Sequence, residues 1–536
     1  MLQNLLQDIL FLLFLAAGFF VLLKNRKARY GLIVRDDADK LIRDGTQGLE
    51  TTFGRSRGSD VRINDPTVSR RQAVLKYDPK ADLIVAWSKS VRVAATDAIP
   101  NHRFRFSLPL TGGISYCSLI TLCAAGFVGL RMIAVYGELR EVRALIPFCI
   151  LFAYLFLSAA LRADHTPVVE AILSILLTYY IDATLYTGTV TDAALGVSIY
   201  TACAFLTFLF LSLDLGRIHS LLRFLASAGI LVLILLNLAL ATQVNGAYNW
   251  IGIGGFTFQP SELVKLLLAF VLVVPARKPA SGFASFLFSV AVPAVCFVYA
   301  LLIKDVGCLL QFGVLYLTAV IIQGDNLLFS ICLLLTTILG CKGVLALSST
   351  AASRLLGWRG SAETSLLSAL TATGIFEDSY GYGFQSTRSL IAAFKNGGQF
   401  GNGGYDALAG VLAANSDLVT AMLAQKHGWL LLFLLPALYT LLILYVLHAI
   451  RQKTKLQQAF TILSITLIVF AMLLNMGGTL GVIALTGVVN PALSDGMSAA
   501  VSYGAFFGVL ASSGLTHKYI KKTKGDPCND TNNQSL

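Results

Sequence analysis

The stretch Gly246-Ala-Tyr-Asn-Trp-Ile-Gly-Ile-Gly-Gly-Phe-Thr-Phe-Gln-Pro-Ser-Glu-Leu-Val-Lys265 sets a carboxylate, Glu262, three residues before an amine, Lys265, between two long apolar segments. Ionisable groups are costly at that depth, and where they persist they mark working sites. Pro260 suits the first turn of a helix, and Ser261 and Glu262 suit its N-terminus, so a membrane helix is expected to start inside a polar, non-helical crevice. Irregular backbone there is tolerated only where protein or a water-filled cavity satisfies it. Two readings stand: a crevice in which Trp250, Glu262 and Lys265 bind a substrate, or a re-entrant packing turn closed by an internal ion pair.

The elements that would hold such a crevice are membrane spans. With 536 residues, 56% of them hydrophobic and only 13% charged, the chain has too little polar surface for a soluble protein of its size. A span needs about 20 apolar residues, and about thirteen are read near 8–23, 114–135, 145–161, 168–186, 195–213, 221–243, 260–275, 283–303, 307–323, 327–347, 429–449, 457–477 and 497–515. Basic clusters sort to the cytoplasmic side. Lys24 to Arg29 then place the N-terminus outside, and Arg217 to Arg223, Arg277-Lys278, Arg451 to Lys455 and Lys518 to Lys524 all fall inside. The net charge of +12 is thereby mostly topogenic, and nothing else points to nucleic acid. The nine cysteines form no CxxC pair and the six histidines are scattered, so no metal held by Cys or His is expected.

Residues 30–112 break the apolar pattern with alternating short runs such as Leu83-Ile-Val-Ala-Trp87 and turn signals such as Asn64-Asp-Pro66, which predict a small all-β sandwich. Within it, Phe53-Gly-Arg55-Ser-Arg-Gly-Ser-Asp60 through Ser69-Arg70-Arg-Gln72 resembles the forkhead-associated (FHA) domain. That resemblance implies phosphothreonine binding by Arg55 and Ser69, with Arg70 a further candidate, and a phosphate dianion does suit a guanidinium and hydroxyl donors. The family's usual His is Gln72, and Ser88-Lys-Ser-Val91 stands where an Asn-Gly pair is expected.

From about residue 168 the chain resembles the SEDS family (shape, elongation, division and sporulation), which polymerises peptidoglycan glycan strands. Four stretches carry the likeness: Gly246 to Lys265; Lys304-Asp-Val-Gly307; Ser389 to Gly403; and Asn475-Met-Gly through Ser498. The resemblance implies a ten-span core over 168–517 with a long extracellular loop at 348–428. It leaves an N-terminal anchor at 1–29, a transmembrane hairpin at 113–167 and a cytoplasmic tail at 518–536 as additions. It also implies that Asp417 is the catalytic base, taking the proton of the acceptor sugar hydroxyl as it attacks a lipid-linked donor. The other reading of Asp417 is a helix cap at the start of the next span.

The long loop holds Arg354, Arg359, Arg388 and Lys395 with Trp358, Tyr380, Tyr382, Phe384 and Tyr405. Cations suit a lipid pyrophosphate and aromatic faces suit sugar rings; the alternative is a loop packing on itself. Arg388 and Lys395 are the expected leaving-group partners, and a divalent cation, Mg²⁺ or Mn²⁺, could share that task. Asp305 is either a helix N-cap or a ligand for metal or substrate head group. Expected partners are lipid II, a class B penicillin-binding protein, membrane lipids and, through the FHA domain, a phosphothreonine protein or Ser/Thr kinase. The chain departs from the family at Asn249, Gln425-Lys-His-Gly428 and Asn490-Pro-Ala-Leu-Ser-Asp-Gly496. A lipid-linked precursor flippase and an inactive scaffold therefore stand as alternatives to the polymerase, all in the plasma membrane of a bacterium.

Overall fold

The computed structural model describes residues 114–161, 167–212, 219–244, 247–253, 256–273, 290–323, 384–396, 398–401, 404, 408–411, 413–450 and 455–512, the strands given below, and single positions within 9–19 and 335–358. The chain divides into two compact units, Leu13–Leu122 and the remainder, Met1–Leu12 with Cys123–Leu536.

In the smaller unit, β1 (Tyr30–Arg35) pairs antiparallel with β2 (Leu41–Gln47). A four-stranded sheet has the order β4-β3-β5-β6, from β3 (Glu50–Gly54), β4 (Val61–Arg62), β5 (Ala73–Asp78) and β6 (Leu83–Ala86). A last pair joins β7 (Arg105–Phe106) to β8 (Ile114–Ser115). Arg55, Ser69 and Arg70 lie outside the described residues, as do the predicted turns at 57–60 and 64–66.

The larger unit is helical. Its first elements are α1 (Tyr116–Leu139), α2 (Ile146–Leu161), α3 (Pro167–Thr187), α4 (Val190–Ser212) and α5 (His219–Leu240). A small antiparallel sheet follows, β9 (Thr242–Val244), β10 (Ala247–Ile253) and β11 (Phe256–Phe258), leading into α6 (Pro260–Leu272). Pro260 opens α6 as expected, because its missing N–H costs nothing in a first turn. Next come α7 (Val292–Leu302), α8 (Val306–Gln323) and α9 (Phe384–Leu390), which runs into a π-helical turn, Ile391–Asn396. The last are α10 (Val419–His427), α11 (Leu431–Ala449), α12 (Lys455–Thr479) and α13 (Met497–Ser512).

Five described helices are long and apolar enough to cross a membrane, six if α10 and α11 count as one broken span. The chain is a multi-pass membrane protein. The span expected at 260–275 is described as α6, 13 residues that end at the C-cap Val273. The expected span at 429–449 is α11, and the residues before it form α10, which meets α11 at 119°. Gly428, at φ +100, lies at that corner. The core is tightest where α13 crosses α4. A Cβ on Gly504 would lie 2.8 Å from the Tyr200 carbonyl, and one on Gly508 would overlap the Ala204 carbonyl. This Gly-xxx-Gly spacing lets two backbones touch, the usual basis of close helix packing in lipid.

Candidate active site

Asp417 sits half-buried on the tight turn 413–418 that leads into α10. Ala413, in a left-handed conformation at φ +58, presents its carbonyl to the N–H groups of Ser416 (3.2 Å) and Asp417 (2.9 Å). The N-cap of α10 is Leu418, which makes no side-chain cap bond, and Asp417 stands one residue before that cap position. Ser416 Oγ donates to Asp417 Oδ1 at 3.4 Å. The backbone beneath the carboxylate is held more firmly. Asn475 Nδ2 donates to the Asp417 carbonyl at 3.0 Å and to that of Val488 at 2.9 Å, while Asn475 Oδ1 accepts from Thr420 at 2.9 Å. Thr479 Oγ1 adds a bond to the Asp417 carbonyl at 3.3 Å, and Ser494 Oγ bonds the Ser416 carbonyl at 2.7 Å.

These bonds bring the separate motif stretches together. Ser389, the neighbour of Arg388 on α9, donates to the Thr479 carbonyl at 2.8 Å, so the Arg388 helix and the Asp417 turn share Thr479. Arg388 is half-buried and its guanidinium lies 5.5 Å from the Phe384 ring. Lys395 belongs to the π-helical turn that packs against α10; its side chain lies outside the described residues. Gly401 and Gly428 touch backbone to backbone, since a Cβ on either would overlap the other strand's carbonyl. The Lys304 to Gly307 motif meets the same assembly at Gly307, where a Cβ would fall 3.1 Å from the Thr486 carbonyl.

Asp305 acts as the N-cap of α8: its Oδ1 accepts from the Cys308 N–H at 2.9 Å. Its Oδ2 accepts from Asn249 Nδ2 at 2.8 Å, which ties β10 to the start of α8. The capping reading of Asp305 therefore describes its geometry. Trp250 is half-buried on β10, and its carbonyl accepts from Thr242 at 3.3 Å.

Glu262 and Lys265 form a closed network. Lys265 Nζ bonds Glu262 Oε1 and Gln311 Oε1, each at 2.6 Å. Gln311 Nε2 donates to the Tyr503 hydroxyl at 3.1 Å, and Ser502 Oγ donates to Glu262 Oε2 at 2.9 Å. With Lys265 only 1% exposed, every bonding group is turned inward to tie α6, α8 and α13 together. That is the geometry of the internal ion pair weighed from the sequence.

Sequence reasoning assigned no role to Asn475, Thr479, Ser494 or Asp495. A usable signal existed for Asn475, a strongly polar residue deep in an apolar run. Asp495 Oδ2 accepts from Asn415 Nδ2 at 3.0 Å, its Oδ1 accepts from the Tyr180 hydroxyl at 3.2 Å, and its own N–H donates to the Asn415 carbonyl at 3.0 Å. Burial pushes the Asp495 carboxyl above the usual range, partly offset by the Tyr180 hydrogen bond. Among the described residues no three His, Cys, Asp or Glu side chains converge as a metal site.

The chain is similar to several known proteins. The probable peptidoglycan glycosyltransferase FtsW of Halorhodospira halophila is 29% identical over 304 residues, spanning 54% of this chain and 72% of that protein. The protein of the same name from Haemophilus influenzae is 29% identical over 290 residues, 52% of this chain and 70% of its own. The solved rod shape determining protein RodA of Thermus thermophilus is 20% identical, with a TM-score of 0.42 over 64% of this chain and 93% of that one. An FHA domain model matches residues 51–92. The cell cycle protein model FTSW_RODA_SPOVE matches residues 158–518, a stretch that takes in the Asp417 turn and the segments described above as bonded to it, and the chain belongs to that family.

Proposed function

We propose that this chain is an inverting peptidoglycan glycosyltransferase that polymerises lipid II into β-1,4-linked glycan strands. The observation that carries it is the half-buried Asp417 carboxylate on a backbone fixed by Asn475, Thr479 and Ser494. Asp417 takes the proton from the acceptor sugar hydroxyl while that oxygen bonds to the donor's anomeric carbon. The bond to the polyprenyl diphosphate breaks in the same displacement, and the leaving group carries away the electron pair. One displacement at an α-linked donor yields a β-linkage without a covalent enzyme intermediate. A positioned general base supplies roughly 10²- to 10⁴-fold.

Arg388 and Lys395 are assigned to the leaving diphosphate, where fixed cations stabilise the growing negative charge. A divalent cation, Mg²⁺ or Mn²⁺, would supply the same neutralisation, and no step depends on it. Asp305, Trp250, Glu262 and Lys265 are assigned to shaping the surrounding walls. The proposed arrangement in the bacterial plasma membrane has the N-terminus and the 348–428 loop outside, with the FHA domain and C-terminus inside. A class B penicillin-binding protein is the proposed partner for cross-linking. Arg55, Ser69 and Arg70 would admit a phosphothreonine protein or a Ser/Thr kinase, giving phosphorylation-dependent control from the cytoplasm.

The test is glycan polymerisation from lipid II by the full chain with its transpeptidase, comparing wild type with Asp417→Asn. Polymer from wild type and none from the variant is expected; equal yields would remove Asp417 as the base. Absence of polymer from both, with precursor crossing vesicles, would favour the flippase, and absence of both activities the scaffold. For the FHA domain, phosphothreonine-peptide affinity should collapse in Arg55→Ala.

A further inference from the structure

Beyond the site itself, the described residues hold one other buried charge cluster, at the far end of α10. Lys426 and His427 close that helix and both reach Asp182 on α3, His427 Nε2 lying 2.8 Å from Oδ2 and Lys426 Nζ 3.4 Å from Oδ1. Asp182 is 1% exposed and also pairs with Arg131, itself 2% exposed. Lys426 has a second partner in Glu138 at 3.0 Å. The Arg131 guanidinium lies 5.3 Å from the Tyr179 ring, whose edge meets His427 at 5.3 Å. Phe127 packs on Tyr179 at 6.0 Å and on Phe11 at 5.7 Å.

Phe127, Arg131 and Glu138 occupy one face of α1, at the i, i+4 and i+11 spacing of a helix stripe. That helix precedes residue 158, where the family match begins. Lys426 and His427 fall in the segment where this chain departs from the family pattern. An added helix has therefore supplied both charge partners, Arg131 to Asp182 and Glu138 to Lys426. The arrangement is high-stakes, because removing one member of a buried ion pair leaves its partner uncompensated.

α10 has nine residues, so its length is about 13 Å, and a tilt of about 4° moves its far end by about 1 Å. The turn carrying Asp417 is at the end opposite Lys426 and His427, so a tilt about the clamped end displaces it. Misplacement by about 1 Å costs on the order of 100-fold in rate. We propose that Arg131 is a positioning residue: through Asp182, Lys426 and His427 it clamps the distal end of α10 and so fixes the Asp417 turn, making the accessory helix part of the catalytic machinery. The rate consequence rests on the glycosyltransferase reading; the clamp itself does not.

The experiment uses the full chain in nanodiscs with three variants: Arg131→Met, Arg131→Met with Asp182→Asn to avoid a stranded buried charge, and the conservative Arg131→Lys. Hydrogen exchange is followed over 413–428 and over α12 and α13, beside kcat and KM for lipid II. Both Met variants are expected to exchange faster over 413–428 alone, with kcat lower by roughly 10- to 100-fold and KM within about threefold, and Lys should restore more than about half of the rate. Unchanged exchange over 413–428, equal loosening of every helix, or kcat within about twofold of wild type despite faster exchange would overturn the proposal. If wild type itself makes no polymer, the exchange pattern alone decides the clamp, and the failure belongs to the enzymatic reading.

Discussion

Replacing Asn475 by Ala isolates what the backbone beneath Asp417 contributes. The amide makes bonds to Asp417 (3.0 Å) and Val488 (2.9 Å) and receives one from Thr420 (2.9 Å), and it is 3% exposed. A net bond is worth about 1 kcal/mol and a stranded buried partner costs about 1–3 kcal/mol, so the loss is roughly 2–4 kcal/mol. At 1.4 kcal/mol per factor of ten, that corresponds to about 30- to 700-fold in the population of the reactive turn. Ser494 and Thr479 still hold the turn, which narrows the expected fall in kcat to about 10- to 100-fold, with KM for lipid II little changed. Thr479→Val is the control. It removes one long bond, 3.3 Å, from a carbonyl that Asn475 still satisfies, so its cost is about 1 kcal/mol or less and its kcat falls by about fivefold or less. Steady-state polymerisation of lipid II, with thermal unfolding as the folding check, measures both. Equal losses from the two variants, or full activity in Asn475→Ala, would refute the reasoning that this amide orients the base.

Three further outcomes follow from the geometry. Lys265→Met strands Glu262 in the core and should lower stability by about 3–5 kcal/mol in thermal unfolding, while Lys265→Met with Glu262→Gln should recover much of it. Asp495 binds its proton more tightly in the folded protein, so its contribution is full below about pH 4 and is lost as pH rises through the raised native value; the melting temperature of wild type should therefore fall relative to Asp495→Asn over that rise, and a pH-independent gap would contradict the assigned burial. Gly401→Ala, at φ +77 and against the Lys426 carbonyl, should destabilise the turn beside α10 and raise its protease sensitivity, whereas Gly410→Ala, which has open space and a similar φ of +73, should cost less.

Much of this protein is dictated locally. Apolar runs long enough for a bilayer, the proline that opens α6 and the alternation of the strand-rich segment are properties of a few adjacent residues, and they led directly to a helical membrane core with a small β unit. The family resemblance brought Asp417 and Asp305 to attention, and the chemistry of a diphosphate leaving group brought Arg388. What sequence could not supply was partnership between distant segments. Whether Glu262 and Lys265 face a substrate or each other depends on Gln311, Ser502 and Tyr503, which lie on two other helices. The 119° corner at Gly428 sets a short buried helix, α10, in front of the expected span at 429–449, within a stretch that the sequence reads only as part of a long loop. The anchors of the Asp417 turn come from residues 475–495, and the clamp on α10 comes from residue 131; hydrogen bonds and ion pairs of that range exist only once the helices have packed.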